Sequence, residues 1–287
     1  LYTMMGTTIK PDFEYHRLRG DIAIGTFSSW NVFTELAHFV TLRGKLIPND
    51  PFSSFNLGRH SGEDLTKVLA NRTALCQVLG LSPKVLIQPR QVHGQEILPL
   101  SKDFFSWEKT RQTAYLSAAD GLVTDLPHIC VAVSTADCVP LLFYDPHHRV
   151  VGASHAGWRG TVKHIAAHTV AVMQERYDSR PEEIYAAIGP SIGEAAFEVG
   201  DEVVEAFTEA YPTHTGTIIT PRRGERRRHH VNLWEANSID LLSAGVRPEH
   251  ITLAGICTYT HNELFYSSRR AGGKLFGRFL SGIFLRS

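Results

Sequence analysis

The sequence predicts an α/β fold built on mixed sheets. Short apolar runs of strand length alternate along the chain with longer stripes at helical spacing. Several of the strand-like runs follow one another across turns of a few residues, too short for the helical crossover a purely parallel sheet requires. Neither an internal repeat nor a low-complexity linker interrupts this alternation.

Residues 63–79 place Leu65, Val68, Leu69, Cys76 and Leu79 on one helical face, and Arg72 falls on that same face. An inward Arg either anchors its helix by hydrogen bonds or reaches a site. Residues 84–91 (KVLIQPRQ) read as a strand running into His93. The runs 130–135, 139–144 and 150–154 read as strands, with Asp145-Pro146 the clearest turn between them. Thr161 is a suitable helix cap, followed by a stripe of Val162, Ile165, Ala166, Thr169, Val170 and Met173. His164 and His168 sit one turn apart off that stripe, without a third ligand nearby, and read as a solvated face. Residues 184–188 form another strand and 251–259 a late one. Residues 203–211, 233–242 and 275–285 read as helices.

Composition narrows the function. The 287 residues are 43% hydrophobic, enough for a large core. The 29 basic and 29 acidic residues balance, so neither a nucleic acid nor a membrane surface is an expected partner. The arginine-rich stretch PRRGERRRHH, residues 221–230, reads as an exposed loop, with a polyanion site as its sharper alternative. Cys76, Cys130, Cys138 and Cys257 are dispersed without a CxxC pair, which suits a reducing compartment and a cytoplasmic protein. No apolar run approaches the roughly 18–20 residues that span a bilayer. The first residues, LYTMMGTTIKPDFEY, lack the basic and apolar segments of a signal peptide.

Chemistry concentrates at three residues that border strand-like runs: His93 in QVHG, Cys138 in ADCVP and His155 in SHAGWRG. A Cys and two His suit zinc with an open fourth position. They equally suit a nucleophile pair, with Cys138 attacking and His155 or His93 as base. Asp137 either orients a His or caps the turn. Gly157-Trp158-Arg159-Gly160 precedes a helix start, where glycines and an Arg favour an anion. The stretch 267–273, SSRRAGG, offers the same ingredients before a predicted helix, which together point to an anionic substrate.

QVHG, ADGLVTD (119–125), TADCVPLLFYDP, HAGWRG, IGPSIG (188–193), FEVG (197–200), ICTY and the Ser-Ser-Arg-Arg stretch occur in this order. Together they resemble the YfiH-like family, also called laccase-domain proteins or multicopper polyphenol oxidases and now regarded as purine nucleoside phosphorylases. SSFNLGRHSGED (53–64) and Asn71-Arg72 match its N-terminal motif. The resemblance is strongest over 53–287 and implies one domain, 1–287, with two mixed sheets packed as a sandwich and flanked by helices. It implies that His93, Cys138 and His155 hold Zn2+, with Cu2+ as the other metal. Asn56, Arg72, Gln91, Arg159, Arg269 and Arg270 are the expected substrate and phosphate residues. The implied reaction is phosphorolysis of adenosine, inosine and S-methyl-5'-thioadenosine, with adenosine deamination beside it. The implied partners are a purine nucleoside and inorganic phosphate, and the expected assembly is a monomer or weak homodimer. The alternatives are a Cys-His hydrolase and a copper-dependent polyphenol oxidase. The latter wants a blue-copper site plus a further copper cluster, which three dispersed ligands do not supply. Two positions depart from the family pattern: Ala271 stands where an Asp is usual, and Asn232 where another Asp is usual.

Overall fold

A computed structural model describes residues 2–4, 7–9, 11–221 and 229–286. Two six-stranded sheets form the centre. The first runs in the order Ile251–Leu253, Tyr185–Ile188, Val139–Asp145, Val150–Ala156, Gly121–Thr124, Ile97–Pro99. Its outermost pairs are parallel and its inner pairs antiparallel. The second runs Glu14–Arg19, Ile22–Thr26, Leu36–Thr41, Phe279–Leu285, Cys130–Thr135, Leu86–Ile87, with only the last pair parallel. Both sheets are therefore mixed, as the short turns predict.

The sheets pack face to face through their central strands. Cys130–Thr135 shows how the sequence achieves this. Val131 and Val133 enter the core between the sheets, while Cys130 and Ala132 enter the core under helix Leu65–Val78. In Val139–Asp145, Leu142 and Tyr144 face the other sheet, and Val139, Leu141 and Phe143 face helices Ile165–Tyr177 and Leu233–Ser243. Both faces of these strands are buried, so the runs are apolar without alternation. Each fully buried Val or Leu contributes about 1.5–3 kcal/mol.

Several elements differ from the sequence expectation. Residues 275–285 do not form a helix; Phe279–Leu285 is a central strand of the second sheet. All its residues are buried, and a run that is apolar on both faces has no period to separate strand from helix. Gly282 there lies so close to the ring of Phe39 that a Cβ would meet its Cζ at 2.6 Å. The strand expected over 84–91 is only Leu86–Ile87, and the late strand is only Ile251–Leu253. Helix Leu65–Val78 buries Val68, Arg72, Leu75 and Cys76, whereas Leu65 and Leu69 are exposed. Its face is turned toward Arg72, which takes the centre.

Thr161 does not cap the long helix. It closes a single turn, Trp158–Thr161, and His164, at φ 59°, then starts Ile165–Tyr177. The expected stripe is otherwise buried at Ile165, Ala166, Thr169, Val170 and Met173. His164 is not merely solvated: its Nδ1 lies 2.8 Å from Asp240 Oδ1 on the neighbouring helix. Asn232 caps Leu233–Ser243 by accepting from Glu235 N at 3.1 Å, so the missing Asp costs the helix no cap. In the arginine-rich stretch, residues 222–228 lie outside the described residues. Its flanks, Ile219–Pro221 and His229–Val231, pair in a small three-stranded sheet with Glu198–Val199. Among the described residues no helix is long and apolar enough to cross a membrane.

Candidate metal centre and substrate pocket

Val139–Asp145 and Val150–Ala156 pair antiparallel with Val139 opposite Ala156 and Pro140 opposite His155. The chain reaches Val139 directly from Cys130–Thr135, crossing from the second sheet to the first. Cys138 sits at that crossing, beside the end of His155's strand. His93 comes from the loop between Leu86–Ile87 and Ile97–Pro99, at φ 60°. Ligand atoms of His93, Cys138 and His155 all lie within 4.8 Å of one another. His155 is buried, Cys138 half-buried and His93 exposed, so the trio opens on one side.

Asp120 builds this arrangement, and sequence reasoning passed over it. Its buried carboxylate accepts from the backbone N–H of Val92, His93 and Gly94 at 3.1, 3.0 and 2.7 Å. Its Oδ1 also lies 2.8 Å from His155 Nδ1, which fixes that proton on Nδ1 and turns Nε2 toward Cys138. One side chain thus sets the His93 loop and the His155 tautomer together. The available signal was a carboxylate directly before the apolar run GLVT, inside a motif that was otherwise read whole.

The electrostatics favour a thiolate. Burial pushes the Cys138 thiol up, but the charge and hydrogen bonds of His155 and His93 outweigh it and bring it to about 6. Burial pulls His155 down, but the Cys138 sulfur and the Asp120 carboxylate hold it at about 9. Gly157 completes the cradle. A Cβ there would stand 3.1 Å from Cys138 Sγ, 3.1 Å from His93 Cδ2 and 3.7 Å from His155 Cε1. A thiolate and two imidazoles that converge on one point, with backbone pressed against them, fit a metal ion.

The trio lies in a cavity of about 450 Å³. Gln91 lines it, with both amide ends tied to Ser134: Nε2 donates to Ser134 O at 2.8 Å and Oε1 accepts Ser134 N at 2.9 Å. Arg72 lies beneath it and does not line it. It is buried and donates to Gln88 Oε1 at 2.8 Å and Leu57 O at 3.2 Å, and Gln88, a lining residue not anticipated, bonds Gln91 and Ser134 in turn. Asn56 is also beneath the wall, accepting from Gly58 N and Arg278 N at 3.0 and 2.8 Å. Arg269 lines the cavity. Arg270 points to another face and donates to Tyr259 O at 3.0 Å. Arg159 is a correction: it is exposed, stacked at 4.2 Å on the Trp158 ring and outside the cavity lining. The helix behind it is a single turn, too short to focus a dipole on an anion.

Asp137 does not orient a histidine. At φ 88° it accepts from Thr258 Oγ1 at 2.7 Å and from Arg269 N at 2.6 Å, joining the ligand turn to the 267–273 loop. The carboxylate absent at Ala271 is not needed to hold the arginines there. Arg269 Nη1 donates to Glu198 O at 2.7 Å, and Arg270 uses a carbonyl likewise. Tyr259 and His261 lie outside the lining.

Fold and site together define a two-sheet α/β enzyme with an open His–Cys–His donor set. The chain belongs to the family described as multi-copper polyphenol oxidoreductase laccase, whose profile matches residues 37–286. It is 39% identical over 259 residues to a purine nucleoside phosphorylase of Bacteroides thetaiotaomicron, covering 90% of this chain and 95% of that one. It is 37% identical over 246 residues to adenosine deaminase RL5 of an unknown prokaryotic organism, covering 86% and 92%. The crystal structure of YlmD from Geobacillus stearothermophilus matches with a TM-score of 0.84 and 34% identity, over 96% of this chain and 100% of that one.

Proposed function

We propose that this enzyme carries out phosphorolysis of purine nucleosides, with adenosine deamination as a second activity, at a zinc centre held by His93, Cys138 and His155. The convergence of those donors within 4.8 Å on the wall of a nucleoside-sized cavity carries the proposal. The names of the similar proteins supply the substrate class, purine nucleosides, with adenosine named for one of them. Adenosine, inosine and S-methyl-5'-thioadenosine are the members of that class we propose. Zinc held there supplies a Lewis acid and a means of activating water near neutral pH.

The chain's own residues do the remainder. Asp120 keeps the His155 proton on Nδ1. Ile192, Phe197 and Phe276 give the cavity apolar faces against which a purine ring packs. In phosphorolysis a phosphate oxygen bonds to the anomeric carbon as the bond to the purine nitrogen breaks, and the base leaves with the electron pair and takes a proton. In deamination water adds at the purine C6 and ammonia leaves.

Two imidazoles and a thiolate also suit copper. Among the described residues, the one other grouping of metal-ligating side chains is Asp145, His148 and Glu183. Asp145 there is bonded to the backbone of His147 and His148, as a turn cap. A single open site of this kind favours hydrolytic or transfer chemistry over multicopper oxidation.

The lowered Cys138 thiol beside a raised His155 favours a second reading, a Cys-His hydrolase. Metal analysis paired with base release from inosine separates them. Hypoxanthine release that requires phosphate and disappears on chelation supports the zinc enzyme. Release that survives chelation and stops on thiol alkylation supports the hydrolase.

A further inference from the structure

We infer that Arg278, assisted by Arg59, forms the subsite for the phosphate group, on the same cavity wall that carries His93, Cys138 and His155. The inference rests on the proposed phosphorolysis for its biological meaning, though the subsite itself is defined by geometry.

Arg278 is held at its backbone and unspent at its guanidinium. Its N donates to Asn56 Oδ1 at 2.8 Å and its carbonyl accepts from Leu57 N at 3.0 Å. Gly58 lies against its stem, where a Cβ would come within 2.9 Å of Arg278 Cβ. The half-buried guanidinium, 5.2 Å from the Phe276 ring centroid, makes one hydrogen bond among the described residues: Nη1 to His60 O at 3.2 Å. No carboxylate among the described residues pairs with it. Arg59 lines the same cavity and makes no hydrogen bond among the described residues. The one carboxylate in the lining, Asp137, is occupied by Thr258 and the Arg269 backbone.

A half-buried cation with most of its donors unfilled is costly until an oxyanion meets it, and a planar guanidinium fork matches a phosphate edge. The surrounding field agrees. Burial, then Arg90, Arg59 and Arg278, pull His60 below its usual range. Burial likewise pulls Arg278 down, and its side chain lines the same cavity as the ligand trio. Arg269, the other lining arginine, has already given its Nη1 to carbonyls.

A phosphate group reaches this wall either as free phosphate or as the 5'-phosphate of a nucleotide. Binding of inorganic phosphate and of inosine 5'-monophosphate to the holoenzyme, measured by calorimetry, separates the two. The variants are Arg278→Gln, Arg278→Lys, Arg59→Gln and, as a control, Arg159→Gln, with thermal melting to confirm folding. Phosphate affinity falls about tenfold or more in Arg278→Gln, the loss of a charge-assisted contact, and less in Arg278→Lys and Arg59→Gln. Arg159→Gln leaves it unchanged. Where turnover is measurable, the phosphate KM rises in Arg278→Gln while the inosine KM stays within about twofold. Wild-type protein that binds neither phosphate nor the nucleotide, or binding that is equal in a folded Arg278→Gln, overturns the subsite. Arg278-dependent phosphate binding without phosphorolysis leaves the subsite standing and overturns the proposed function instead. Arg278-dependent binding of the nucleotide alone supports the subsite and assigns it to a nucleotide phosphate.

Discussion

Asp120 Oδ1 lies 2.8 Å from His155 Nδ1, and the same carboxylate receives the backbone N–H groups on which His93 hangs. Two of the three candidate metal ligands therefore depend on one buried side chain. In Asp120→Asn, an amide must replace a carboxylate that accepts four donors, and an N–H is forced against one of them. Metal affinity falls by about 10–100-fold, the usual cost of losing such a partner. Competition with a chromophoric chelator measures it; an unchanged dissociation constant contradicts the role given to Asp120.

Gly157 provides a steric test of the same centre. In Gly157→Ala the new methyl stands 3.1 Å from both Cys138 Sγ and His93 Cδ2, tighter than ordinary contact. The backbone at Gly157 has φ −67° and tolerates alanine. The expected result is a protein that melts within a few degrees of wild type and binds metal more weakly. Equal metal occupancy under limiting zinc goes against it.

Arg72 supports the cavity from beneath. Burial pulls it down to about 10, so it stays charged at neutral pH. Arg72→Met leaves Leu57 O and Gln88 without their donor and destabilises the fold by about 2–3 kcal/mol. Because Gln88 leads to Gln91 and Ser134, the nucleoside KM rises as well. Urea unfolding and substrate kinetics on the same preparation read both effects, and a variant as stable as wild type contradicts the anchor.

His38 gives the fold an acid-sensitive point outside the cavity lining. Burial pulls it from 6.5 to about 4, while its Nε2 accepts Phe27 N at 2.8 Å in the neutral form. The folded state therefore binds fewer protons than the unfolded state between those values. Its contribution is present above about pH 6.5 and is lost as pH falls toward about 4, on the order of 3 kcal/mol in all. In His38→Gln, whose amide oxygen takes over as acceptor, that slope is absent. Chemical unfolding from pH 7 down to 4 compares the two proteins, and parallel curves refute the assignment.

The strand pair that carries Cys138 and His155 was legible because both strands are buried on both faces and a sharp Asp-Pro turn separates them. The same double burial made Phe279–Leu285 illegible, since an apolar run with no polar face fits either period. His93 and Cys138 were found by chemistry, not pattern: a Cys or His at the edge of an apolar run is unusual enough to notice. Arg278 holds a comparable place, just before Phe279, and was hidden by the misread helix. Asp120 was hidden for another reason. Its partners are three backbone N–H groups and a histidine 35 positions away, and backbone donors leave no trace in side-chain spacing. Arg159 shows the converse error, since glycines and an arginine before a helix suggested an anion where the structure stacks the arginine on Trp158.

The most direct test of the account is phosphorus NMR of inosine incubated with phosphate and the zinc-loaded protein, beside the same mixture with Cys138→Ala. The account predicts a ribose 1-phosphate resonance that grows with hypoxanthine release in the wild type and is absent in the variant. Hypoxanthine release with free ribose and no phosphate ester, or an ester formed equally by Cys138→Ala, would contradict it.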